Sequence, residues 1–173
     1  KKLCVSGDSA GGNLSLACSL RDRDEGKGMI AYQALIYPTV SRLEKVGAAH
    51  YWKPELYENP ENDPLIDEQI RVIGSMGDEC NGWYTETGED LKSPYLSPLF
   101  GDPAGLPKTL LMTAEYDFLR AECEEYSRRL CAAGVENRHI RYGGIFHGTF
   151  DRLGYAPQVE DMLREIAKDM RAL

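Results

Sequence analysis

The sequence predicts an α/β domain: a mostly parallel sheet flanked by helices, interrupted by one long insertion. Three observations carry this. Short apolar runs rich in β-branched and aromatic residues fall at 3–5, 29–40 and 109–114, with an alternating run at 138–142. Helical periodicities lie between or after them, at 13–20, 119–133 and 157–173. Strand alternating with helix requires crossover connections, and crossovers give parallel neighbours.

Each element has its own grounds. Residues 3–5 read as the end of a buried strand, with Cys4 in the core. In the helix that follows, Leu14, Ala17 and Cys18 fall at helical spacing, and Leu16 with Leu20 widens that face. The charged run 21–27, closed by Gly26 and Gly28, ends it. The second strand, with Ile30, Tyr32, Leu35, Ile36 and Tyr37, stops at Pro38. From 41 to about 97 the texture changes. Pro54, Pro60, Pro64 and Pro94 break it up, and one short helix is expected at 67–76, with Ile70 and Ile73 on one side. That length exceeds a simple loop, so the segment reads as a cap-like insertion. A strand at 109–114 ends in the turn Glu115-Tyr116-Asp117, and the helix 119–133 turns Tyr126, Leu130 and Ala133 inward before Gly134 caps it. After the strand 138–142, residues 143–148 read as a glycine loop. The closing helix carries Val159, Met162, Leu163, Ile166 and Met170 along one face.

Composition excludes some functions. The 173 residues suffice for one domain, and the net charge of −8 argues against nucleic acid, whose phosphates need a basic face. No apolar run approaches a membrane span, and no signal peptide is read before the glycine motif. The five cysteines (Cys4, Cys18, Cys80, Cys123, Cys131) are odd in number and lack zinc-type spacing. They read as reduced thiols in a cytoplasmic protein.

The stretch Gly7-Asp8-Ser9-Ala10-Gly11 lies between a strand and a helix, the context of a nucleophile elbow. In so tight a turn a Cβ at Gly7 or Gly11 is expected to clash. The Ser9 hydroxyl is then exposed at the sheet's carboxyl edge. The Ala10 N–H, at a helix N-terminus, becomes a donor to a developing oxyanion. A serine needs a base. His50 falls in the insertion and His139 between Arg138 and Arg141, where ordinary surface roles fit. His147, as Phe-His-Gly after the last strand, is the candidate base. Asp117, in the turn after an earlier strand, is the candidate acid, with Glu115 its competitor; Asp8 reads as structural. The order Ser9, Asp117, His147 is the α/β-hydrolase order. Tyr32, Tyr37, Trp52 and Trp83 are candidates for lining an acyl pocket, beside an ordinary core role.

Together "GDSAGGNL", "LIYP", "SPLF", "LPKTLLMTAEYDFLRAECEEYSRRLCAAGV" and "YGGIFHGTF" resemble the hormone-sensitive-lipase-like branch of the α/β-hydrolases, esterases of short acyl esters. The resemblance covers nearly the whole chain and is weakest in the insertion. It implies Ser9 as nucleophile, His147 as base, Asp117 as acid, and Ala10 as an oxyanion donor. It also implies a cap from the insertion and no metal or organic cofactor. The family's N-terminal half, with a His-Gly-Gly loop that supplies further oxyanion donors, has no counterpart here; Gly143-Gly144 matches it only superficially. The chain thus reads as the C-terminal part of an α/β-hydrolase fold, acting on a small ester with impaired catalysis. One edge of the first strand is expected to be bare and covered by a second copy of the chain, as a homodimer or exchanged assembly. Two other readings stand beside this one. A serine peptidase of the prolyl-oligopeptidase type shares the elbow and the residue order. A non-catalytic hydrolase-fold module is the third.

Overall fold

The computed structural model describes residues 2–43, 53–59, 61–74, 82–85 and 88–173. In chain order these form β1 (Leu3–Asp8), α1 (Ser9–Asp24), β2 (Ile30–Ile36), a 3-10 turn at Pro54–Leu56 and α2 (Pro64–Gly74). A second 3-10 turn at Pro98–Phe100, β3 (Lys108–Tyr116), α3 (Arg120–Ala132), β4 (Asn137–Phe146), a 3-10 turn at Thr149–Asp151 and α4 (Pro157–Arg171) follow. The four strands make one parallel sheet in the order β1-β2-β3-β4.

Period-2 alternation divides the two central strands between two cores. Leu35 and its register partner Leu111 pack with Leu16 and Leu20 of α1 and with Cys123, Tyr126 and Leu130 of α3. Ala34 and Ile36, with their partners Leu110 and Met112, pack on the other face against Met162 and Ile166 of α4. Helices therefore cover both faces, as a parallel sheet requires.

The edges of the fold correct several expectations. Among the described residues β1 pairs with β2 alone, so Leu3 is 49% exposed and Cys4 is exposed, not core. Cys18 is exposed too, and so is Leu14. The buried face of α1 is Asn13, Ser15, Leu16, Ser19 and Leu20. Its rotation is set by polar anchors: Asn13 Nδ2 donates to the carbonyls of Thr39 (2.8 Å) and Leu96 (3.1 Å). Residues 143–146, expected as loop, continue β4 to Phe146. In α4, Val159 and Met162 are buried, but Leu163 and Met170 are exposed. The expected helix at 67–76 runs over Pro64–Gly74, with Ile70 buried. His50, Trp52 and Cys80 lie outside the described residues.

Candidate active site

The parallel sheet brings the carboxyl ends of its strands to one edge, and the sequence-selected residues meet there. Ser9 follows β1 directly and is the first residue of α1, with φ +52°. Only two other described non-glycine residues have positive φ, Tyr37 and Asn62, and Tyr37 also belongs to this site. Such a backbone costs of order 1–3 kcal/mol and persists where the surroundings over-determine it. The surroundings here are glycines. A Cβ on Gly7 would lie 2.3 Å from the Gly11 carbonyl carbon. One on Gly12 would lie 2.7 Å from Pro38 Cβ. At Gly11 the space is open, so the expected clash there does not occur. Gly7 and Gly12 are the sterically required pair. The doublet Gly11-Gly12 was the sequence signal for the second of them.

Ser9 Oγ lies 2.8 Å from His147 Nε2, and His147 Nδ1 lies 2.9 Å from Asp117 Oδ2. A carboxylate only accepts, so Nδ1 carries the ring proton and Nε2 faces the serine hydroxyl as acceptor. Asp117 is fully buried, and its second oxygen accepts from the Leu119 N–H at 2.7 Å. The His147 side chain is 13% exposed. It sits between two rings, Tyr37 at 4.8 Å and Phe118 at 4.9 Å between centroids. Sequence reasoning missed Phe118; its place next to Asp117 was the available signal. The first turn of α1 has no side-chain cap and no acidic residue, and Ala10 is exposed. Its N–H groups are thus open to an anion at the positive end of the helix.

The competitors have other partners. Glu115 Oε2 accepts from the Gly144 N–H at 2.7 Å. Between the pairs Ala114–Tyr142 and Tyr116–Phe146, β3 has one residue where β4 has three, so Gly143-Gly144 is a bulge in a strand and not a loop. Gly144, at φ +73°, takes the conformation that favours glycine. His139, half-buried, has its Nε2 2.9 Å from Thr113 Oγ1, and burial lowers its pKa. Asp8 occupies the position before α1 without a side-chain cap bond.

Of the aromatic candidates, Tyr37 touches His147, whereas the Tyr32 hydroxyl is turned away to Asp169 at 3.3 Å and Trp83 is 72% exposed.

The first turn of α3 ties this edge to the segment after β2. Glu122 Oε1 accepts from the N–H groups of Val40 (2.9 Å) and Ser41 (3.2 Å). Burial pushes the Glu122 carboxyl up to about 8, against those two bonds; nearby Asp117 adds to the rise and Arg42 opposes it. Cys123 Sγ donates to the Pro38 carbonyl at 3.1 Å, and burial raises that thiol. The Tyr57 hydroxyl reaches the Asp117 carbonyl at 2.6 Å.

The chain is similar to known esterases in sequence and in fold. The chain is 31% identical over 170 residues to an arylesterase of Saccharolobus solfataricus, covering 98% of this chain and 51% of that protein. It is 33% identical over 152 residues to carboxylesterase NlhH of Mycobacterium tuberculosis, covering 85% and 43%. A Pyrobaculum calidifontis esterase superposes with a TM-score of 0.82 at 32% identity, covering 99% of this chain and 52% of that one. The chain therefore spans about half the length of the curated relatives it matches. A family model described as alpha/beta hydrolase fold matches residues 1–151. With that match and these esterase relatives, the chain belongs to the α/β-hydrolase fold family, in the hormone-sensitive-lipase-like branch its motifs resemble.

Proposed function

We propose that this chain carries the acyl-transfer site of a carboxylic ester hydrolase. The observation that supports it most is the unbroken hydrogen-bonded line from Ser9 Oγ through His147 to Asp117. In this reading His147 Nε2 takes the Ser9 proton as Oγ attacks the ester carbonyl. The Ala10 N–H stabilises the oxyanion that forms. The tetrahedral species collapses, the C–O bond to the alcohol breaks, and His147 passes its proton to the leaving oxygen. Water then attacks the acyl-enzyme with His147 again as base, and the carboxylic acid leaves. Asp117 holds the imidazole in the required tautomer throughout. The segment 41–97 acts as a cap over the acyl group. Losing such an oxyanion donor costs roughly a hundred- to a thousandfold in turnover.

The test is hydrolysis of p-nitrophenyl acetate and butyrate, with Ser9→Ala beside the unaltered chain and a peptide p-nitroanilide as the amide control. Serine-dependent ester turnover is the expected result. Equal rates for the two proteins refute the reading, and preference for the anilide replaces the ester by a peptide. Among the described residues β1 pairs with β2 alone, and an unpaired strand edge is a template for strand pairing. A second copy meeting along Leu3–Asp8 would cover it, and a monodisperse monomer in light scattering refutes that arrangement.

A further inference from the structure

Asp117 works through a carboxylate whose direction is set by its own backbone turn. Oδ1 accepts from the Leu119 N–H, and the Asp117 carbonyl accepts from the Arg120 N–H at 3.0 Å. Both bonds are local and come with the start of α3. The Asp117 carbonyl takes a further bond from far along the chain. The Tyr57 hydroxyl, sixty residues earlier, donates to the same carbonyl at 2.6 Å.

Tyr57 is itself held. Its side chain is buried at 7% exposure. The Arg120 guanidinium carbon lies 4.6 Å from its ring centroid, a cation–π arrangement. Arg120 Nη1 donates to the Glu115 carbonyl (2.6 Å), and Nη2 to the Leu56 carbonyl (3.0 Å). One planar fork therefore joins the end of β3, the residue before Tyr57 and the Tyr57 ring. Burial also raises the phenol pKa, so the hydroxyl stays a neutral donor across working pH.

We propose that Tyr57 is a positioning residue for the Asp117–His147 pair, locked in place by Arg120, so that the segment between β2 and β3 is coupled to the acid. This rests on the reading of Asp117 as the group that orients His147. A merely structural tyrosine would lend stability through its ring. A positioning one acts through its hydroxyl, and the two separate in Tyr57→Phe, which keeps the ring and the stacking.

The experiment compares the full chain with Tyr57→Phe, Arg120→Lys and Ser9→Ala. Two quantities are read: the second-order rate of Ser9 labelling by an alkyl fluorophosphonate, and the low-field proton resonance of His147 Nδ1–H. Tyr57→Phe is expected to label roughly tenfold more slowly, the scale of a small misplacement. Its Nδ1 proton is expected to move upfield, with the melting temperature within about 4 °C of the unaltered chain. Arg120→Lys loses the planar fork and shifts both readouts the same way, less far. It also decides the matter should Tyr57→Phe fail to fold. An unchanged rate and resonance in a folded Tyr57→Phe overturn the proposal. If the unaltered chain labels no faster than Ser9→Ala, the ester-hydrolase reading fails. A resonance still moved by Tyr57→Phe then supports the positioning of Asp117 by itself.

Discussion

Two glycines flank Ser9 at equal distance in sequence, yet the structure gives them opposite roles, and a single methyl group separates them. At Gly7 an added Cβ meets main-chain atoms of Gly11: the carbonyl carbon at 2.3 Å, its oxygen at 2.4 Å and the Cα at 2.9 Å. Ordinary contact begins at 3.4 Å, so the methyl is about 1 Å short of room against backbone that cannot rotate away. Overpacking that shifts backbone costs about 3 kcal/mol, the upper end of the usual range. For a chain of this size that is a loss of about 6–12 °C in melting temperature. At Gly11 nothing lies within 4 Å of the added Cβ, and the residue has ordinary helical handedness. Alanine there removes unfolded-state freedom and gains up to about 1 kcal/mol, or up to about 4 °C. Thermal unfolding of Gly7→Ala and Gly11→Ala by far-ultraviolet circular dichroism measures both without relying on activity. If the two variants fall together, the elbow is not held by the Gly7–Gly11 approach, and the account of why Ser9 keeps φ +52° is wrong.

Glu122 makes a pH prediction. Its carboxyl is raised from 4.5 to about 8, so the folded chain binds a proton there that the unfolded chain has released. The stabilisation is full below about pH 4.5 and is lost as pH rises through 8. Urea midpoints measured across that window should fall with rising pH, and Glu122→Gln should flatten the slope; an unchanged slope refutes the assignment. The thiols make another. Cys4, Cys18 and Cys131 are exposed, while Cys123 is buried with its pKa raised, so native-state alkylation at pH 8 followed by peptide mass analysis should modify the first three and spare Cys123. Early modification of Cys123 would mean that the first turn of α3 opens readily.

The alternation of strand and helix was legible because β2 and β3 are buried on both faces and read as apolar runs. Ser9, Asp117 and His147 were legible because glycines, turns and chain order are local signals. What failed to read was whatever depends on a partner far along the chain. The face of α1 was misread because its apolar residues ring the helix. Asn13, Ser15 and Ser19 go inward, and Leu14 and Cys18 go out. The Thr39 and Leu96 carbonyls, met by Asn13, reveal that rotation. The composition of β1 is that of a core strand and places Cys4 inside, yet Cys4 is exposed, because burial depends on neighbours that composition does not count. Tyr57 gave no signal, since nothing local links it to a turn sixty residues on.

The reach of His147 has a physical account that also settles what the glycines before it do. Ser9 follows β1 and His147 follows β4, three strand spacings apart, or about 14 Å. An imidazole cannot span that, yet Nε2 lies 2.8 Å from Oγ. The backbone must carry the histidine back across the sheet. The bulge at Gly143-Gly144 sets this bend, because extra residues on one strand kink it and strengthen its twist. Glu115 fixes the bulge by accepting the Gly144 N–H, so this residue, the competitor for the acid, shapes the path to the base instead. Beyond the bend, the Phe150 N–H donates to the Tyr37 hydroxyl at 2.9 Å, which anchors the returning segment over β2, one strand short of Ser9. Tyr37 can stand there because its own backbone turns out of β2 at φ +33°, with its N–H held by the Met112 carbonyl at 2.7 Å. Both described non-glycine residues that keep a positive φ at this edge thus serve one contact: Ser9 presents the hydroxyl, and Tyr37 holds the loop that brings the imidazole to it.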